Sequence, residues 1–281
     1  MARAPLTAQD PARIGAYRPS GRLASGDRAD VYEGYDESGA RVAIKVLRGP
    51  SRPQAPFGAP FACVAEVLAG GVHDGRPYVV SEFVDGPSLA AVVAAHGALT
   101  GDDPHRLAAG TAAALTALHE AGVVHGALTA DKILLGPDGP RVIDLGRPRP
   151  PGASPEADVR AWAEIVRFTA TGSSTAEPDA LPAVLRPLVV AAASERPPAA
   201  RELLLRLVAP NESARGDLLA RAEERARALR APGHLTGPAA LGKAAGAVFR
   251  RPGDDEREQV AAAFSRLFAR AGRTPRRAGR A

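Results

Sequence analysis

The 281-residue chain is short of several residue types that usually announce a fold or an activity. It has one cysteine, Cys63, which excludes an internal disulfide framework and a cysteine-built metal site. Its longest apolar runs, such as residues 90–95, fall far below the ~20 residues a membrane-crossing helix needs. The opening MARAPLTAQDPAR has neither the apolar core nor the cleavage site of a secretory signal, so a cytoplasmic location is expected. Lysine is scarce: Lys45, Lys132 and Lys243 stand against 33 arginines.

Positive charge gathers at one end. Residues 211–281 hold 15 Arg and Lys against 8 Asp and Glu, whereas residues 1–210 are nearly neutral. Two amphipathic helical patterns occupy this extension, with apolar residues recurring at helical spacing around Leu218–Leu229 and Val260–Ala271. The plain reading is a helix packed on the domain plus a solvated tail; the sharper one is contact with an anionic membrane surface. No aromatic interleaving or known module favours nucleic acid. Gly237–Lys243 fits a phosphate-loop spacing, but Ala244 follows where Ser or Thr is needed and no strand precedes it.

The order of local patterns gives the fold class. YRPSGRL, DVYEGYD and ARVAIKVL read as strands, the last two joined by the turn ESG. CVAEVLAGGVHDGRPYVVSEF reads as a hairpin turning at Asp74-Gly75. From Ser88 the pattern turns helical, with SLAAVVAAHG and then DDPHRLAAGTAAALTALHEAG, which carries Pro104 in its first turn and Gly122 at its end. KILL and PRVIDLG are two further short strands, and helices continue to about Val208. Strands first and helices later predict an α+β protein in two lobes.

Several motifs then fall in register. LASGDRADVY occupies a strand–turn–strand, VAIK ends in Lys45, HGALTADK follows the long helix, and VIDLG carries Asp144. In this order they resemble a bacterial Ser/Thr protein kinase of the eukaryotic type, over about residues 13–208. The resemblance implies a bilobal kinase-like fold divided as a flexible N-terminus (1–12), an N-lobe (13–84), a C-lobe (85–210) and a basic helical extension (211–281). It places nucleotide contacts at Gly26, Val31, Ala43, Lys45, Ser81 (as gatekeeper), Glu82, Val84 and Asp144, the last also holding Mg²⁺. It makes His125, Asp158 and Arg196 framework residues, Asp158 bracing the backbone of the loop that begins at His125.

The departures fall on the residues with chemical tasks. Only one of three loop glycines remains, Gly26, flanked by Asp27 and Asp30, whose carboxylates would oppose phosphates. Between Lys45 and Cys63 stand four prolines and no acid, so the regulatory helix and its glutamate are expected to be missing. Lys45 is then expected to pair with Asp144. Ala127 replaces the general-base aspartate, Thr129 the following lysine, and Lys132 the second metal ligand. Asp131 is the one carboxylate nearby, one residue too early. Eleven residues separate Gly146 from Asp158, a curtailed activation segment ending in SPE.

The resemblance with these losses implies a pseudokinase: a regulatory or binding module for an unidentified protein partner, with weak or no binding of ATP, with or without Mg²⁺. Two alternatives stay open, an atypical but active ATP-dependent Ser/Thr kinase and a scaffold that binds no nucleotide.

Overall fold

The computed structural model describes residues 3–49, 63–137, 139–145 and 150–208. The missing-helix expectation, the first part of the segment after Leu145 and the basic extension fall outside these residues.

The first lobe is built by period-two alternation. Strands β1 (Arg18–Ser25), β2 (Ala29–Tyr35), β3 (Arg41–Leu47), β4 (Val67–His73) and β5 (Arg76–Glu82) form an antiparallel sheet in the order β1-β2-β3-β5-β4. On one face Val42, Ile44 and Val46 of β3 pack with Ile14, Tyr32, Tyr78 and Val80. Ile44 and Val80 are fully buried, each worth about 1.5–3 kcal/mol of transfer free energy. The alternate residues necessarily face the other way. Register sets Lys45 between Val31 and Val79, and Ala43 between Glu33 and Ser81.

The N-terminal segment, described from Arg3, is tied to the sheet. Ala4 and Arg22 exchange backbone hydrogen bonds of 2.9 Å, and Leu6 packs against the apolar cluster of the sheet. Asp10 pairs with Arg22 and accepts a 2.8 Å hydrogen bond from the Tyr32 hydroxyl. A carboxylate shielded from water needs such partners, and they tie the segment down.

The second lobe is mainly helical. It comprises α1 (Leu89–His96), α2 (Asp103–Glu120), β6 (Ile133–Gly136), β7 (Gly139–Val142), α3 (Pro155–Thr171), α4 (Arg186–Ala192) and α5 (Ala200–Val208). Ser88 and Ser154 cap α1 and α3, their side chains accepting from the Ala91 and Ala157 N–H at 3.2 Å. Trp162 of α3 is fully buried and donates its indole N–H to the Ala108 carbonyl of α2 at 3.1 Å.

A few backbone bonds join the lobes. Val142 donates to the Cys63 carbonyl and accepts, through its own carbonyl, from Ala65, both at 2.8 Å. Within the second lobe Leu135 donates to the Pro87 carbonyl at 2.9 Å, holding the entry to α1 against β6. Cys63 lies inside this junction, where burial pushes its thiol up to about 11, so it stays protonated and chemically quiet. Among the described residues no helix is long and apolar enough to cross a membrane.

Candidate functional site

The cleft face of the sheet, the 82–86 connection and the loops around β6 and β7 enclose a cavity of about 990 Å³. Its walls include Gly26, Val31, Ala43, Lys45, Ser81, Glu82, Val84 and Asp144, all the residues read from the sequence as nucleotide contacts. Lys132 and Asp131 also line it. Val31, Ala43, Lys45 and Ser81 converge because strand alternation and register put them on one face of the sheet.

The inner end is an ion cluster. Lys45 reaches one oxygen of Asp144, and the Lys132 ammonium lies 2.5 Å from the other. The Asp144 side chain is 5% exposed, whereas those of Lys45 and Lys132 are 19% and 28% exposed toward the cavity. Burial pushes the Asp144 carboxyl up, but the two ammonium groups outweigh it and hold the carboxyl below the usual range. Asp144 also takes a left-handed backbone, φ 75°, which is costly for a side chain other than glycine. The expected pairing of Lys45 with Asp144 is present; Lys132 as a second partner was legible only as a cation near a metal position.

The loop after α2 is held from below. The Asp158 side chain accepts the backbone N–H groups of His125 and Gly126, both at 2.8 Å, and lies 3.0 Å from the His119 ring. This bracing geometry is the one the resemblance implies. His125 donates from Nε2 to the Ile143 carbonyl at 3.0 Å, and its Nδ1 accepts the Ala127 N–H at 3.3 Å. Gly126 sits at φ 72°, so the loop makes its left-handed turn without side-chain strain. Lys132 closes a one-turn 3₁₀ helix (Ala130–Lys132), and its carbonyl accepts from Ile143 at 2.9 Å. The loop is therefore stitched to the Asp144 segment through both backbone groups of Ile143, its carbonyl to His125 and its N–H to Lys132. Ala127, at the base position, brings no group that can take a proton.

Burial holds the His125 imidazole below its ordinary value, so the folded protein keeps it neutral. A lowered folded value means that the unfolded chain takes up a proton first. Stability is then full above pH ~6.5 and falls on acidification, by at most about 1.4 kcal/mol per pH unit. Thermal midpoints measured at pH 7.5 and 5.5 should drop less in His125→Asn than in the parent; an equal drop would assign the acid sensitivity elsewhere.

One expectation is corrected. Asp30 does not face the cavity: it alternates with Val31 and lies on the opposite side of β2, 4% exposed, between Arg48 (2.8 Å) and Arg76 (3.1 Å). Burial opposes ionisation, yet the two guanidinium groups and Ser25 bring its carboxyl down to about 2. Only Asp27 is left at the loop lining the cavity. Arg196 is exposed and makes no ion pair among the described residues. The tie between the start of α3 and the 194–195 segment comes instead from Arg160, which donates to the carbonyls of Ser194 (3.3 Å) and Glu195 (2.9 Å).

Arg41 was not anticipated at all. Its guanidinium stacks on Phe83 at 3.8 Å, donates to Glu33 at 2.7 Å and reaches Asp85 at 3.1 Å. The signal was Glu33, an acid at an inward strand position that needs a cation.

Comparison with known proteins places the cavity in context. PkwA of Thermomonospora curvata, a probable serine/threonine-protein kinase, is 30% identical over 208 residues, covering 60% of this chain and 28% of that protein. The serine/threonine-protein kinase AfsK of Streptomyces coelicolor is 35% identical over 153 residues, 50% of this chain and 19% of its own length. PknA of Mycobacterium tuberculosis is 31% identical over 160 residues, with coverages of 50% and 37%. The chain thus spans well under half the length of these curated relatives. No family model matches it.

Proposed function

We propose, from the premise that this chain is a relative of the bacterial serine/threonine protein kinases, that it is a pseudokinase: a nucleotide-binding regulatory module that transfers no phosphate. The observation that carries this reading is the ion cluster. Both oxygens of Asp144 are taken by ammonium groups, one of them from the residue at the second metal-ligand position.

ATP fits the cavity in size and charge pattern. The apolar walls at Val31, Ala43 and Val79 suit a base, and Lys45 and Lys132 suit phosphates. When bound, ATP would supply a polyphosphate for the inner end; this chain's residues would orient it and exclude water from it. Mg²⁺ does not fit in the same way. A divalent ion at Asp144 would have to displace an ammonium.

Catalysis of phosphoryl transfer rests on positioning and charge, and a general base within reach of the nucleophile. Ala127 provides none. Radiolabelled-phosphate transfer assayed with Mg²⁺ and with Mn²⁺ should stay at background in the parent protein. Transfer that disappears in Asp144→Ala would overturn the reading in favour of an active, atypical kinase. That second reading draws on Asp131, exposed on the cavity wall, and Asp131→Ala would then abolish transfer too. Saturable thermal stabilisation by ATP, lost in Lys45→Ala, would separate the pseudokinase from a scaffold that binds no nucleotide. The regulatory role requires a protein partner, and the basic extension is proposed to serve it or an anionic membrane surface.

A further inference from the structure

We infer that Lys132 takes the place of a metal ion, so that the cavity receives a nucleoside polyphosphate as the free, metal-free anion between Lys45 and Lys132. The inference rests on the proposal that a nucleotide binds at all.

Four observations converge on it. First, Lys45 and Lys132 meet on a single buried carboxylate, so among these three groups positive charge exceeds negative by one. That balance attracts an anion and repels a second cation. Second, an ammonium has three N–H donors and can hold a carboxylate and a phosphate oxygen together. Both lysines keep part of their surface open to the cavity, 19% and 28%.

Third, Lys132 is pre-positioned. Its N–H donates to Thr129 and its carbonyl accepts from Ile143, both at 2.9 Å, so its backbone is fixed on the loop and on the Asp144 segment at once. Little ordering is left for the ligand to impose. Fourth, two of only three lysines in a chain with 33 arginines occur in this cluster. A compact, strongly hydrated point charge is what a metal ion supplies; a planar guanidinium spreads its charge over a fork. Asp144 then has a changed task. It no longer ligates a metal but holds two cations at the spacing a polyphosphate can bridge.

Calorimetric titration of the full chain with ATP tests this, once in EDTA and once with Mg²⁺. Affinity in EDTA should equal or exceed that with Mg²⁺, because the metal neutralises the charge the lysines recognise. Lys132→Asn should weaken binding in EDTA about tenfold or more, the loss of a charge-assisted hydrogen bond, and Mg²⁺ should restore part of it. Adenosine, which carries no phosphate, should bind parent and variant alike. Should Lys132→Asn fold poorly, Lys132→Met, which keeps the aliphatic stem, replaces it. Binding that requires Mg²⁺ in the parent, or a variant with unchanged affinity in EDTA, would overturn the inference and leave nucleotide binding standing. No binding in either buffer would overturn both.

Discussion

Asp158→Ala is expected to lower stability by about 2–5 kcal/mol, roughly 1–3 kcal/mol for each buried donor left without a partner. Asp158 is 1% exposed and serves two backbone N–H groups, those of His125 and Gly126, besides the His119 ring. Alanine would leave those donors facing a space too enclosed for bulk water. In a domain of this size the loss corresponds to a fall in thermal midpoint of about 5–15 °C. Asp158→Asn keeps one acceptor oxygen and should fall between alanine and the parent. A loss below about 1 kcal/mol for alanine would mean that the loop is held chiefly by the His125–Ile143 contact.

The second large effect concerns the cluster at the inner end of the cavity. Asp144→Ala removes the carboxylate that separates two ammonium groups and should cost about 2–4 kcal/mol, since breaking a half-buried ion network leaves like charges unscreened. The lysines are partly exposed and can turn toward solvent, which keeps the figure below that of a fully buried pair. Lys132→Met alone should cost less, because Lys45 still compensates Asp144. In the double variant the repulsion is gone, so its loss should be smaller than the sum of the two single losses by about 1 kcal/mol or more. Urea denaturation of the four proteins measures this, and strict additivity would show that Asp144 and Lys132 do not sense one another.

The residues lining the site were legible in the sequence more fully than their electrostatic surroundings. Lys45, Ala43, Val31 and Ser81 could be placed because strand alternation fixes which face a residue takes once one neighbour is known to be buried. The same rule, applied one residue earlier, would have turned Asp30 away from the cavity; attention to the loop motif obscured it. The Asp158 bracing was legible through the resemblance, because it depends on backbone groups that any side chains would present. What could not be read were pairings set by tertiary approach: Asp30 with Arg76 from 46 residues away, and Asp10 with Tyr32. Arginine fills so many surface positions that no pattern marks the few that carry a partner.

Arg41 has a mechanical consequence. It is rooted at the start of β3 and fastened by charge to Glu33 of the sheet, while its face lies on Phe83 and its tip on Asp85 of the connection that follows β5. A cleft that gapes by pivoting about residues 83–85 must peel the guanidinium from the ring and lengthen the Asp85 pair. Each such contact is modest, of the order of 1 kcal/mol at a partly exposed site. Together they act as a damped spring on the outer rim. Opening the cleft about residues 83–85 would therefore work against all three contacts of one side chain.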